Sequence, residues 1–121
     1  GEGLFTKEFY GNCFKALTAD GIMVNQQESP FYKDDAIAMQ RAHKRIVGSF
    51  PISRVYQAHI PTYSSGHWLF GFASKKRNPI TDFNEQNWKK LKLRTKYYNT
   101  KIHVGAFALP NYVKELLEDV E

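Results

Sequence analysis

The chain has 121 residues, of which 42% are hydrophobic and 24% charged, with a formal net charge of +5. This size and composition fit one domain with enough apolar residues for a core, and no apolar run approaches the ~20 residues of a membrane span. The single cysteine, Cys13, excludes an internal disulfide and favours a reducing compartment, so we expect a cytoplasmic protein without a membrane partner.

The first predicted elements are a helix and a strand. Apolar residues recur every four positions in TKEFYGNCFKALTADG, at Phe9, Cys13 and Leu17. This spacing favours a helix that Thr6 can cap and that Asp20 and Gly21 end. The apolar run GIMVNQ follows and predicts a strand buried on both faces.

A second predicted helix opens at Asp34 or Asp35 and ends near Gly48. Four of its side chains fall on one stripe that suits a core: Ala36, Met39, His43 and Ile46. A helix between two strands indicates a right-handed crossover, so a parallel sheet is expected in this part of the chain.

Two further strands are predicted next. ISRVYQAHI alternates in polarity, and HWLFGFAS is apolar on both faces, as in a central strand. Their connection, residues 61–66, is short enough to make them antiparallel neighbours. The predicted fold class is therefore α/β, with a parallel strand, an antiparallel hairpin and flanking helices, typical of the second half of a larger α/β domain.

The rest of the sequence predicts helices. NEQNWKKLKL has a weak helical pattern, whereas LPNYVKELLEDVE has a strong one that begins near Pro110. The apolar stripe of the last helix consists of Tyr112, Val113, Leu116, Leu117 and Val120.

Several kinds of site find no support in the residue pattern. The four histidines show no pair at metal-ligand spacing, and no cysteine cluster accompanies them, so no metal site is expected. Cys13 lies on an apolar helix stripe, where core packing accounts for it. Nine Lys or Arg stand against two acids between Lys75 and Lys101. A nucleic-acid surface is one interpretation of them, and a solvated helix face with loops is the favoured one.

Polar and aromatic side chains follow two of the predicted strands. Gln26 and Glu28 lie where GIMVNQ ends, and Tyr63 lies beyond ISRVYQAHI, a few residues before Trp68. Ligands of open α/β sheets bind outside the carboxyl ends of the strands, so these ends can share one pocket. Two aromatic faces, an amide oxygen and a carboxylate would suit an alkyl ammonium ion. The alternative is that the aromatics cover a core edge and Glu28 starts a turn.

Four stretches resemble the spermidine synthases, which are aminopropyltransferases. The closest likeness is IPTYSSGHW followed by FGFASK, with Ser64 at a position where the family has proline. EGLFTKEFY, LTADGIMVNQQESP and KYYNTKIHVGAFALP are similar to three other segments of the family, in the same order and spacing.

The resemblance implies that residues 1–121 form the C-terminal part of the catalytic domain, the C-terminal half of a Rossmann-like, class I methyltransferase-like domain. It implies that the family's N-terminal β-domain, its nucleotide-binding half and the catalytic Asp of its gatekeeping loop come earlier. The isolated chain is therefore expected to be inactive. In the whole enzyme, decarboxylated S-adenosylmethionine would be the co-substrate and putrescine the acceptor, giving spermidine and methylthioadenosine in a dimer or tetramer that binds no nucleic acid.

The resemblance also implies roles for individual residues. By position, Gln26 and Tyr63 match residues at the diamine, and Trp68 matches an apolar position along its alkyl chain. Glu28 falls where the family varies. Gly1, Glu2 and Leu4 resemble the edge of the adenine site. Related polyamine synthases and putrescine N-methyltransferases share the scaffold and remain alternatives, as does a non-catalytic basic binding module.

Overall fold

The computed structural model describes residues 6–27, 29–30, 32–63 and 65–117. Their helices and strands, in chain order, are α1 (Lys7–Ala16), β1 (Ile22–Gln26), α2 (Lys33–Val47), β2 (Ile52–His59), β3 (His67–Ser74), α3 (Glu85–Leu91), α4 (Thr100–Gly105) and α5 (Asn111–Leu117). The order is the one expected from the sequence, with α4 as an additional short helix.

The three strands form one sheet in the order β1-β3-β2. The predicted hairpin of β2 and β3 is confirmed, and β3 is antiparallel to both of its neighbours. β1 and β2 therefore run in the same direction, as the crossover predicts, but the expectation of a parallel sheet is wrong for the described strands, since both hydrogen-bonded pairs are antiparallel. The short β2–β3 connection folds β3 back on β2, and β3, which is largely buried on both faces, takes the central position.

The helices α1, α2 and α5 pack against one face of this sheet. One core cluster joins α2 and α5 to the strands and consists of Met39, Val55, Leu69, Val113 and Leu117. A second joins α1 and α2 to β3 and consists of Tyr10, Ile46, Phe50 and Ala73. The stripe predicted for α2 is confirmed, since its buried residues are Ala36, Met39, His43 and Ile46.

Three details of the predicted elements are corrected or confirmed. Thr6 caps α1 by accepting a hydrogen bond from the backbone N of Phe9 at 3.1 Å, as expected, but the helix already ends at Ala16. The strand β1 is not buried on both faces, because it lies at the edge of the sheet and Val24 is 59% exposed. In α5, Val113 and Leu117 are buried, whereas Tyr112 is exposed. Val120 lies outside the described residues.

Candidate functional site

The candidate site lies at the end of the sheet where β1 stops and β3 begins. Gln26, the last residue of β1, is directly opposite Phe70 of β3. Trp68 precedes Phe70 by two residues, so its side chain shares the face of Gln26 and is its diagonal neighbour across the ladder. Diagonal neighbours are separated by about 7–8 Å, a distance that a small ligand can span. The sequence prediction that these residues lie at one end of the sheet agrees with this geometry.

Tyr63 joins this group through its ring. The ring centroids of Tyr63 and Trp68 are 4.7 Å apart, with the planes tilted by 59°. Trp68 is buried, whereas Tyr63 is 41% exposed, and its hydroxyl has no hydrogen-bond partner among the described residues. The two rings therefore form a corner with one buried and one exposed side, and the Tyr63 hydroxyl, which has no partner among the described residues, is available to a ligand.

The turn that carries Tyr63 is closed by its own backbone. The N–H of Ile60 donates to the carbonyl of Gly66 at 2.9 Å, which completes the hairpin. Tyr63 donates to the Ile60 carbonyl and accepts from the N–H of Gly66, both at 3.0 Å. Ser65 and Gly66 follow in the left-handed region, with φ of 68° and 69°. Both peptide groups of Tyr63 are thus held, and its ring position depends on where the turn as a whole lies.

Beside Gln26, two polar side chains point into the protein. Gln27 is only 1% exposed, and its amide has no hydrogen-bond partner among the described residues. The amides of Gln27 and Asn25 lie against Gly71, where a Cβ atom would be 2.5 Å from Gln27 Nε2 and still closer to Asn25 Oδ1. Because glycine has no Cβ, Gly71 leaves space for both side-chain amides. Sequence reasoning missed this arrangement, although an isolated glycine inside a strand is a signal of such a close approach.

A histidine network joins the start of β3 to α5, on the face of the sheet opposite to Trp68 and Gln26. His67 Nε2 lies 2.7 Å from Gln57 Oε1, and its Nδ1 lies 2.9 Å from the Tyr112 hydroxyl. The amide of Gln57 also donates to the Ala108 carbonyl at 3.3 Å. Burial, with the nearby His59, lowers the pKa of His67. The neutral ring fits this role, because it accepts from the tyrosine at one nitrogen and donates to the amide at the other.

Four of the predicted site residues cannot be placed. Gly1, Glu2, Leu4 and Glu28 lie outside the described residues. Among the described residues, no group of three or more His, Cys, Asp or Glu side chains is arranged to hold a metal ion. Within those same ranges, no helix combines the length and apolar character needed to cross a membrane.

A separate apolar concavity of the described residues lies away from this site. It has a volume of about 560 Å³ and lies farther along the same face of the sheet, over Val24, Tyr56 and Phe72. Phe107 packs against both Tyr56 and Phe72, with ring centroids 5.3 and 6.3 Å away. Gln26, Tyr63 and Trp68 do not line this concavity, so it is not part of the candidate site.

Comparison with known proteins identifies the family. A family model described as the spermine/spermidine synthase domain matches residues 1–85. The chain belongs to this family. It is 72% identical, over all of its 121 residues, to a polyamine aminopropyltransferase of Alkaliphilus oremlandii, and covers 43% of that protein. It is also 69% identical, over 117 residues, to the polyamine aminopropyltransferase of Clostridium beijerinckii. That alignment covers 97% of this chain and 41% of the relative.

Solved structures agree with the assignment. A crystal structure of spermidine synthase from Thermotoga maritima superposes with a TM-score of 0.88 at 45% identity, covering 94% of this chain and 40% of that one. A spermidine synthase in complex with the transition-state analogue AdoDATO gives 0.90 at 45% identity, covering 98% and 40%. The chain thus spans about two-fifths of the length of these proteins. The resemblance and the α/β, Rossmann-like fold class expected from the sequence are confirmed.

Proposed function

We propose that this chain forms the amine-binding wall of a polyamine aminopropyltransferase that makes spermidine and methylthioadenosine from putrescine and decarboxylated S-adenosylmethionine. The observation that carries the proposal is that Gln26, Tyr63 and Trp68 lie at one end of the sheet. The 72% identity to a protein named as a polyamine aminopropyltransferase supports it. In this proposal residues 1–121 are the C-terminal part of the catalytic domain.

The three side chains match the chemistry of a diamine. Putrescine carries two ammonium groups joined by methylenes, and an ammonium group is attracted to the faces of aromatic rings. The amide oxygen of Gln26 can accept a hydrogen bond from one amine, and the indole of Trp68 offers an apolar surface to the methylenes. The hydroxyl of Tyr63, free of described partners, is the group that reaches the attacking nitrogen.

The reaction needs a proton acceptor and an aligned nucleophile. The attacking amine loses a proton to a carboxylate, and its lone pair then forms the new N–C bond while the C–S bond breaks. The electron pair of that bond stays on sulfur and neutralises the sulfonium. We assign the carboxylate to a residue outside this chain and the orientation of the lone pair to Tyr63. Alignment of nitrogen and carbon can be worth ~7–11 kcal/mol.

Further assignments belong to the same proposal. Gly1, Glu2 and Leu4 would border the adenine site, and Glu28 would face the amine. The active form would be a homo-oligomer in the cytoplasm, where the lone Cys13 stays reduced.

The basic residues between Lys75 and Lys101 are assigned no nucleic-acid role in this proposal. Lys76 and Arg77 both contact Asp20, and Lys89 contacts Glu85. Lys75 donates to the carbonyl of Leu17. Part of the basic charge is therefore engaged within the protein. Salt-sensitive binding of an RNA oligomer would contradict this assignment.

The test is a transfer assay on the protein expressed from its native gene, so that the chain keeps whatever surrounds it there. Putrescine and decarboxylated S-adenosylmethionine should give spermidine and methylthioadenosine in equal amounts, measured by mass spectrometry. The 121-residue chain alone should give neither. Methylation of putrescine with S-adenosylmethionine, or no transfer at saturating putrescine, would overturn the proposal. The intact mass of the native protein is the companion measurement, expected at about twice that of this chain or more.

A further inference from the structure

We propose that Ser29 and Ser65 form a hydroxyl latch that positions Tyr63 and Trp68 relative to Gln26. The latch connects the segment after β1 to the β2–β3 turn, and its role in turnover rests on the proposed function. Neither serine touches the reacting atoms in this proposal, so both are positioning residues.

The latch joins the segment after β1 to the β2–β3 turn, beyond the last residue pair of the β1–β3 ladder. The β1–β3 ladder ends with the pair Gln26 and Phe70, and one more backbone bond, from the Gln27 N–H to the Leu69 carbonyl at 2.8 Å, continues it. Beyond that point Ser29, which is fully buried, has its Oγ 2.9 Å from Ser65 Oγ. The two serines are 36 residues apart in sequence.

The hydrogen-bond directions follow from the partners of Ser65. Its hydroxyl donates to the His67 carbonyl at 3.2 Å and accepts from the His67 N–H at 3.4 Å. A serine hydroxyl has one hydrogen to donate and two lone pairs that accept. When Ser65 donates to the His67 carbonyl, the hydrogen shared with Ser29 comes from Ser29, and the hydrogen and both lone pairs of the Ser65 hydroxyl are then used.

The hydroxyl of Ser65 also stabilises an unfavourable backbone conformation of this residue. Ser65 has a φ of 68°, a conformation that is uncommon for any residue other than glycine. The bonds of its hydroxyl to Ser29 and His67 offset this strain. A glycine at position 65 would adopt the same backbone more easily, but it would leave the turn without its connection to Ser29.

The hydrogen bonds of the turn couple the position of Ser65 to the positions of Tyr63 and Trp68. Tyr63 lies two residues before Ser65, and its N–H and carbonyl are both bonded within the turn. Trp68 follows His67, the residue that the Ser65 hydroxyl contacts twice. The Tyr63–Trp68 corner therefore moves with Ser65, and Ser29 holds it at a set distance from the end of β1.

The experiment compares Ser65→Gly, Ser29→Ala and the double variant in the protein expressed from its native gene. Ser65→Gly removes the hydroxyl and relieves the strained φ, so it is expected to fold. The control is Ser49→Ala, which removes a serine hydroxyl that donates to the Arg45 carbonyl at 3.2 Å at the end of α2.

Two readouts are needed. The first is the ¹⁹F NMR signal of 5-fluorotryptophan at position 68, assigned with Trp68→Phe, which should shift in both single variants and not in the control. The second is turnover, where kcat with putrescine should fall about 10- to 100-fold with the KM for the donor unchanged. The Tm should stay the same in Ser65→Gly and fall by about 4–8 °C at most in Ser29→Ala, which loses a buried hydrogen bond. The double variant should lose no more than either single variant, because each one opens the same latch.

Each outcome has a defined meaning. A ¹⁹F signal that stays at the wild-type position in Ser65→Gly and Ser29→Ala overturns the latch, as do additive losses of kcat in the double variant. Loss of kcat in only one of the two single variants overturns it as well. If the signal shifts as expected but the wild-type protein transfers nothing to putrescine, the proposed function fails and the latch stands as a link between the two strand ends.

Discussion

Removal of the Tyr63 hydroxyl is expected to lower activity while leaving the stability of the fold almost unchanged. Tyr63→Phe deletes an oxygen that has no hydrogen-bond partner among the described residues and leaves the ring contact with Trp68, at 4.7 Å, in place. The side chain is already 41% exposed. The free energy of unfolding should therefore change by less than about 0.5 kcal/mol.

The expected loss of activity is much larger. In the proposed reaction the hydroxyl makes a hydrogen bond to an amine that is charged before the reaction and becomes positive again as the N–C bond forms. Hydrogen bonds to charged groups contribute about 1.5–3 kcal/mol. At about 1.36 kcal/mol for each factor of ten in rate, kcat/KM for putrescine should fall about 10- to 150-fold.

The assay measures kcat/KM for putrescine beside thermal unfolding, in the protein expressed from its native gene. Tyr56→Phe is the matched control, because Tyr56 lies on the same face but stacks on Phe70 at 5.3 Å and lines the apolar cavity instead. It should keep the activity of the wild type. An unchanged kcat/KM in Tyr63→Phe, or parallel losses of activity and Tm, would refute the reasoning.

Three further predictions concern stability. Leu69→Ala, at a fully buried position in the central strand, should lower the free energy of unfolding by about 2–5 kcal/mol in urea titrations, and a loss below 1 kcal/mol would contradict the core described above. Gly71→Ala should cost about 1–3 kcal/mol, because the new methyl group collides with the amides of Asn25 and Gln27, and Gln27→Ala in the same protein should relieve part of that cost. His43 is buried near Arg54, and desolvation lowers its pKa to about 4 from 6.5. The unfolded chain then binds the proton first, so stability should be complete above pH 6.5 and fall by up to about 3 kcal/mol as the pH drops to about 4. His43→Leu should flatten that slope in denaturation measured between those pH values, and an unchanged slope would assign it to other groups.

The helices were predictable because their signals are local. The stripe of α2 was complete in the sequence, and the same four side chains are buried. The side chain and position of Thr6 predict a helix cap, and Thr6 accepts the expected hydrogen bond from the N–H of Phe9. The end of α1 was less predictable, because Leu17 has an extended backbone that no local stop signal announced, three residues before Asp20.

The order of the strands was not predictable in this way. The apolar pattern of HWLFGFAS indicates burial on both faces, but it does not say which strand lies on its second edge. The crossover through α2 predicts that β1 and β2 run in the same direction in one sheet, but it does not predict that β3 lies between them. The 59% exposure of Val24 is in keeping with this order, since β1 is an edge strand of the described sheet.

The inserted strand also explains the site. If β1 and β2 were parallel neighbours, the residue opposite the end of β1 would belong to β2, and the start of β3 would lie one strand farther away. With β3 between them, its first residues run antiparallel past the end of β1, so Trp68 and Gln26 become diagonal neighbours. The turn before β3 then brings Tyr63 and Ser65 to the same end, and Ser29 meets it there. Sequence reasoning could name the aromatic and amide residues from their chemistry. The contact that holds them together depends on strand order, and for that reason it became visible only in the fold.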